Sequence, residues 1–444
     1  MRILPTLFFL TILFSFLFSC QSSDSKTELK PSHVTIVKKD NQYQLMVNNK
    51  PYEVKGAGLS FVSGTNFKAL VEAGGNTFRT WNPKHLQSEL DSAQKYNLMI
   101  AVGFELEKNL HDFDYLDTKA VAKQLEEVKH VVDKYKNHPN ILCWVAGNEM
   151  NLLFDEKGGL KLVQPETYMA LADIVDYIHK VDPHHPVTTT FAGANKTHID
   201  LALKHCPDLD FLGIQVYGDL IAIPSIVKKE KIDRPFMITE YGPRGHWELP
   251  STEWGREIEE TSAPKAAGMM DRIQKGIVQD SSGLMIGSFS FLWGQKQERT
   301  PTWYGMFNKS GEATARIDEM TKYWTGSYPA NRAPLTDSMK LDKRNAVENI
   351  YLKPNNTYTA QVFVREPNGD PITYKWAMLK EVDEKSDGGA FEKEPEEVDF
   401  KIIKDVNGML EFVTPERTGD YRIFSYAYDG KGKVGNANIP FFVK

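Results

Sequence analysis

Two glutamates, Glu149 and Glu240, each close an apolar run. The first follows Ile141-Leu142-Cys143-Trp144-Val145-Ala146-Gly147-Asn148, and the second follows Pro235-Phe236-Met237-Ile238-Thr239 and precedes Tyr241-Gly242. Short apolar runs bounded by glycine read as strands buried on both faces, such as the inner strands of a parallel sheet. A carboxyl group at the end of such a strand emerges at the rim of the packed layer. Two of them facing each other across a barrel mouth suit glycosidic bond cleavage, one protonating the leaving oxygen while the other attacks the sugar carbon. Either glutamate alone is equally well read as a solvated loop residue or a helix N-cap neighbour. The specific signal is the pair, in order along an alternating strand and helix pattern.

That pattern supplies the elements that must position them. A hairpin-like pair of alternating runs occupies residues 34–54, with turn residues at Lys38-Lys39-Asp40-Asn41 and Val47-Asn48-Asn49-Lys50-Pro51, and is expected to cap the bottom of the larger fold after it. The core strands begin at residues 52–58. Helices are expected at 66–73, 85–96, 118–135, 166–181, 199–204, 223–229, 262–279 and 313–324. Strands are expected at 76–81, 98–104, around 141–146, at 186–191, 211–217, 235–240 and 284–293. Eight such units spell a (β/α)8 TIM barrel, an α/β fold, rather than an open doubly wound sheet. Chemistry in such barrels sits at the carboxyl ends of the strands. Glu149 then ends strand four and Glu240 strand seven. No glycine-rich phosphate fingerprint follows any strand, which disfavours a dinucleotide site.

The chain has 444 residues, room for one large domain and a smaller one. Its net charge of −6 argues against a nucleic-acid partner, which would want a basic surface. Arg2 and the apolar run over residues 3–18 read as an export signal, too short for a stable span. Leu17-Phe18-Ser19-Cys20 resembles a bacterial lipobox. Residues 1–20 are therefore expected to be a lipoprotein signal peptide with Cys20 the lipidated residue, and 21–32 a flexible tether. Of the remaining cysteines, Cys143 and Cys206 are expected as buried free thiols, and no Cys/His spacing suits zinc.

Residues 329–334 form a linker after the barrel domain, 33–328. Over 335–444 the grammar changes to short alternating strands, expected at 349–352, 358–365, 373–379, 399–403, 408–413, 419–428 and 439–443. These suggest a small all-β Ig-like sandwich with Trp376 in its core. The acidic stretch 381–397 reads most simply as a solvated surface excursion without calcium-ligand spacing.

Gly147-Asn148-Glu149 and Thr239-Glu240-Tyr241-Gly242 resemble the acid/base and nucleophile motifs of clan A retaining glycoside hydrolases. Residues 47–56 resemble the lead-in to family 2 barrel domains. The resemblance covers roughly residues 34–324 and not the N-terminal sandwich domains of complete family 2 enzymes. Barrel plus Ig-like module is closest in architecture to bacterial endo-β-1,3-glucanases and, more remotely, to fungal β-1,3-glucanosyltransferases. The resemblance implies Glu149 as general acid/base and Glu240 as nucleophile, with the carboxyls about 5–5.5 Å apart and the proton affinity of Glu149 raised. Asn148 would bond the sugar 2-hydroxyl; as an alternative it N-caps the following segment. Arg79 would pair with the nucleophile, and Tyr217 would donate to it unless it is a core tyrosine. Trp293 would lie under the catalytic sugar, its alternative being a core tryptophan.

Further strand-end residues are open to either reading. Trp81, Phe104, Trp247 and Trp303 suit sugar platforms or loop packing. His246 and Glu248 suit an outer subsite, and Gln295-Lys296-Gln297-Glu298-Arg299 suits hydroxyl binding or plain solvation. Glu105 and Glu107 are spare carboxylates, Glu105 the first rival. Strand three ends Phe104-Glu105, without the histidine that several clan members have there. The expectation is a membrane-anchored retaining β-glycosidase acting on a β-glucan, without cofactor or metal, monomeric, and exported to the outer membrane on its surface or periplasmic face. Exo-acting galactosidase- or mannosidase-like action and β-glucan transglycosylation are the enzymatic alternatives. A non-catalytic surface glycan-binding lipoprotein is the alternative of another class.

Overall fold

Strands that are apolar on both faces need a packed layer on each side, and a parallel barrel within a ring of helices supplies both. The computed structural model, which describes residues 29–59, 66–386 and 389–444, has that form. A small antiparallel sheet comes first: β1 Val34–Lys39, β2 Gln42–Val47 and β3 Lys50–Pro51. Eight parallel strands then close into a barrel. They are β4 Lys55–Gly58, β5 Thr77–Arg79, β6 Met99–Phe104, β7 Ile141–Ala146, β8 Val187–Ala192, β9 Phe211–Gln215, β10 Phe236–Tyr241 and β11 Met285–Ser290. The surrounding helices are α1 Phe67–Glu72, α2 Leu86–Tyr96, α3 Thr118–Tyr135, α4 Pro165–Val181, α5 Lys196–His205, α6 Ile223–Lys229, α7 Ser262–Ile273 and α8 Ala315–Thr325.

Local chemistry explains the helix limits. α3 starts where Asp117 accepts the N–H groups of Lys119 and Ala120, and it turns Val128 and Val132 into the core. α2 stops at Asn97, whose left-handed backbone ends it as a glycine would. In β7 every side chain is buried; the indole of Trp144 donates to Asp182 at 2.7 Å, so even the polar edge of that ring is satisfied. Cys143 and Cys206 are buried free thiols.

The first sheet closes the amino end of the barrel. Val34 N donates to His184 O before β8, and Tyr43 N to Gly283 O before β11. Val34, Leu45 and Val54 pack against Leu142, Phe211, Met237 and Ile286. The carboxyl end is left as the open one.

Residues 335–444 form two four-stranded sheets: β12 Leu335–Leu341, β14 Thr357–Arg365, β17 Met409–Val413 and β16 Ile402–Val406 in one, and β13 Tyr351–Leu352, β19 Val434–Val443, β18 Gly419–Tyr428 and β15 Thr373–Lys380 in the other. Trp376 lies in their shared core. β12 has no counterpart among the expected strands. A register shift between Thr336 and Ser338 breaks its alternation, so its period of two is lost in the sequence. β19 starts five residues earlier than expected, because Asn436 and Asn438 are buried against the barrel rather than solvated. Asn438 donates to Glu259 at 2.6 Å, and Arg422 donates to Glu257 O at 2.8 Å. The linker is packed as well, with Ala333 N donating to Asp318 at 2.6 Å. The acidic stretch is only partly solvated: Glu381 and Glu392 are buried, which corrects the expectation of a plain surface excursion.

The signal, tether and Cys20 expectations fall on residues 1–28 or their border and so lie mostly outside the described residues. Among the described residues no helix is long and apolar enough to cross a membrane, and no group of three or more metal-ligating side chains occurs.

Candidate active site

The open end of the barrel gathers residues from six strand ends. β10 carries Glu240, its side chain 8% exposed. A register irregularity beyond Ile238 interrupts the pairing of β10 with both neighbours, and such bulges re-aim a strand's last side chains. Glu240 meets three donors. Arg79 Nη1 is 2.8 Å from Oε1, Trp81 Nε1 is 2.7 Å from the same oxygen, and Tyr217 donates its hydroxyl to Oε2 at 3.0 Å. A buried carboxylate with a guanidinium and two neutral donors has its charge both paired and hydrogen-bonded, which is what burial demands. Arg79 is itself buried on β5 and also donates to Thr239 O at 3.0 Å.

Asn148 and Glu149 lie just past β7. Gly147 takes a φ of +85°, and an added Cβ there would meet the Met150 sulfur at 2.5 Å, so a side chain is excluded on both counts. Glu149 follows with φ +51°, a left-handed conformation that costs a non-glycine residue about 1 kcal/mol. It is held by the bond from Glu149 N to Thr190 Oγ1, 2.8 Å. Asn148 Oδ1 accepts Arg79 Nη2 at 2.8 Å and Gln215 Nε2 at 2.6 Å. Its oxygen is thus occupied by protein donors.

The two acids sit in opposite surroundings. Glu149 is half-buried by surface area but deep in the cleft, where loss of water is the largest influence on it and the Glu240 charge the next. Together they push its pKa up to about 7, against the opposing charges of Lys108 and Arg79. Arg79, bonded to Glu240 and to Asn148, the residue before Glu149, puts the two acids in one site.

Other expected residues divide. Trp81 reaches the site, but through its indole N–H rather than as a flat platform. Trp247 is 62% exposed and stands edge-on to Tyr217, ring centres 5.6 Å apart, at the rim of the cleft. Trp293 is a correction. Its ring is fully buried, 5.7 Å from both Trp324 and Phe307, and its N–H donates to Asn66 O. The regular strand ends at Ser290, and although Trp293 N still donates to Gly58 O of β4, the alternation that would aim residue 293 inward no longer applies. Phe291 stands there instead, edge-on to Trp81 and Tyr217. Trp303 and Phe104 are packing residues, the first donating to Arg244 O and the second stacked on Trp144. Glu248 staples loops together, accepting Gly218 N and Gly245 N. Glu105 and Glu107 are exposed. Residues 297–299 are buried, so the reading of that run as solvated is overturned.

Sequence reasoning missed Thr190, Gln215 and Phe291. Gln215, a buried amide closing the apolar strand β9, repeats the polar-residue-at-strand-end signal of the two acids and was findable by it.

The sequence and fold are similar to those of known proteins. Residues 90–250 match the model of the TIM barrel domain of glycosyl hydrolases family 2. Over that segment the chain is similar to a glycosyl hydrolase domain. Beta-glucuronidase of Streptococcus agalactiae is 26% identical, the match covering 47% of this chain and 40% of that protein. Beta-glucuronidase of Sus scrofa is 21% identical, with 58% and 41% covered. The chain thus spans about two fifths of the length of these relatives. Among solved structures, a calcium-binding mutant of Bacteroides uniformis beta-glucuronidase 2 superposes with TM-score 0.52 at 14% identity, covering 93% of this chain and 48% of that one. Bacteroides uniformis beta-glucuronidase gives 0.51 at 14%, with the same coverage. At such identities the likeness is one of fold.

Proposed function

We propose that this protein hydrolyses β-glycosides with retention of configuration, Glu240 acting as nucleophile and Glu149 as general acid and then base. The observation that carries the reading is the contrast between the acids: Glu240 sits among Arg79, Trp81 and Tyr217, while Glu149 is desolvated with its pKa near 7. A nucleophile must be ionised and an acid must hold its proton at working pH, and these surroundings favour those states. In the first step Glu240 attacks the anomeric carbon while Glu149 gives its proton to the leaving oxygen. In the second, Glu149 takes a proton from water, which displaces Glu240 from the sugar. Asn148, its oxygen held by Arg79 and Gln215, has its amide hydrogens to offer a sugar hydroxyl. Trp247 offers an exposed ring at the rim for a neighbouring sugar.

For the sugar, a β-1,3-linked glucan is the reading drawn from the resemblance in sequence and architecture. A second reading, a β-glucuronide, is favoured by the names of the relatives. Hydrolysis of laminarin-type glucan and of 4-nitrophenyl β-glucuronide, β-glucoside, β-galactoside and β-mannoside, with product sizing, separates them. Glu149→Gln and Glu240→Gln should lose activity on whichever is cleaved. Variants as active as wild type would remove the assignment of these two acids; a wild type that cleaves none of these substrates would favour a glycan-binding protein. The reading includes a lipid anchor on Cys20, supported by the residues before it; Cys20→Ala should shift the protein from the membrane fraction to the soluble one.

A further inference from the structure

The loop after β11 turns back over the cleft, and its shape is not self-supporting. Glu298 and Thr300 pair backbone to backbone around Arg299, whose φ of +61° lies in the left-handed region. An arginine keeps that conformation only where its surroundings hold it. Much of the holding comes from the β-sandwich. Glu392, its side chain wholly buried, accepts Arg299 N at 2.7 Å, Arg299 Nη1 at 3.0 Å and Gln297 Nε2 at 3.0 Å. Ser386 O accepts Arg299 Nη1 at 2.8 Å, and Gly389 O accepts Lys296 Nζ at 2.9 Å. On the other flank, Glu259 of the barrel binds the hydroxyls of Thr300 and Thr302 together with Asn438 of β19. Both ends of the loop are therefore fixed to buried carboxylates, and the sandwich takes part in each.

Between these anchors stands Glu298. Its side chain is 8% exposed, with Lys296 Nζ at 2.7 Å and His246 Nε2 at 3.8 Å. His246 in turn leads into the cleft: its backbone N–H donates to the Tyr304 hydroxyl at 3.3 Å, and the Tyr304 ring lies edge-on to Tyr217, the phenol that bonds Glu240. We propose that the β-sandwich is a working part of the active site: Glu392 is a positioning residue that fixes the loop bearing Glu298, so that Glu298 forms the wall of the cleft beside Glu149. This rests on Glu149 being the acid/base.

The consequence is electrostatic. The groups that act on Glu149 are Glu240 from β10, Arg79 from β5, Lys108 after β6 and Glu298 after β11. The two carboxylates favour the protonated form of Glu149, and the two cations oppose it. Glu298 differs from the other three in that a second domain holds its loop. A loosened loop would move that charge away and let Glu149 lose its proton at lower pH.

The test is kcat/KM against pH for wild type, Glu298→Gln, Glu392→Gln and Glu392→Ala, on the 4-nitrophenyl β-glycoside that wild type cleaves fastest, with thermal melting recorded alongside. Glu298→Gln should move the falling alkaline limb down by roughly 0.5 pH, because a like charge near the acid is gone. Glu392→Ala should move it the same way and raise KM. Glu392→Gln, which keeps a carbonyl for Gln297 and Arg299, should lie between Glu392→Ala and wild type. A limb at the wild-type pH in both Glu298→Gln and the Glu392 variants overturns the proposal. Should Glu392→Ala fail to fold, Glu298→Gln and Glu392→Gln decide it by the same criterion. An alkaline limb that persists in Glu149→Gln overturns the acid/base assignment instead, a separate failure.

Discussion

The ends of β7 and β10 begin from the same sequence signature, a carboxyl group closing a buried apolar strand, and reach opposite environments. At β10 the carboxylate is clasped by a guanidinium, an indole and a phenol. At β7 the backbone turns left-handed, Glu149 is held through its own N–H, and the carboxyl faces loss of water and like charge. The difference teaches that chemical role at a strand end is set by what neighbouring strands supply, not by the strand that carries the acid. β5 and β9 contribute Arg79, Gln215 and, just beyond, Tyr217; none of these is within reach in sequence of the acid it serves.

The comparison can be broken at its strongest point first. Glu240→Gln should lower kcat by at least about 10⁴-fold, since a nucleophile has no substitute in double displacement. Steady-state assay of a protein with wild-type circular dichroism checks this. Glu149→Gln should cost about 10²–10⁴-fold on a poor leaving group but far less on a dinitrophenyl glycoside, which departs without a proton. Equal losses on both substrates would erase the distinction between the acids. Arg79→Met leaves the Glu240 carboxylate buried without its cation. It should destabilise the fold by about 3 kcal/mol in urea titration, beyond what an exposed ion pair would lose. The pH profile sharpens the same contrast. Glu149 must be protonated to act, so kcat/KM should fall as pH rises through about 7, with full acid function below that value. Trp81→Phe removes one of the three donors to Glu240 and should be mildest, about tenfold in kcat/KM with the fold intact.

Much of the barrel was legible in advance because its signals are local. The limits of α3 and α6 coincide with those expected, since the apolar stripe and Asp117 cap of α3 and the proline in the first turn of α6 are written within a few positions of one another. β12 was not legible, because a bulge disrupts its alternation, and the start of β19 was not, because its asparagines are buried by the other domain. In the site, Arg79 and Tyr217 bond Glu240, and Arg79 also bonds Asn148, the residue before Glu149. Trp293 does not join them: the regular strand stops three residues before it, and no periodicity then tells which way a ring will face. Taken singly, the run 295–299 suited hydroxyl binding or solvation, and the acidic stretch looked solvated. They neutralise one another through Arg299 and Glu392, a pairing between residues 93 positions apart.

By itself the sequence determined the eightfold alternation, the change of grammar after the linker and the placing of two acids at strand ends, because buried strands and amphipathic helices carry their periods in consecutive residues. Tertiary structure alone decided which acid is surrounded by donors, which aromatic ring stands over them and how the sandwich reaches the rim of the cleft. Those outcomes depend on distances between strands and loops far apart in the chain, fixed only when the barrel closes and buried charges must find partners.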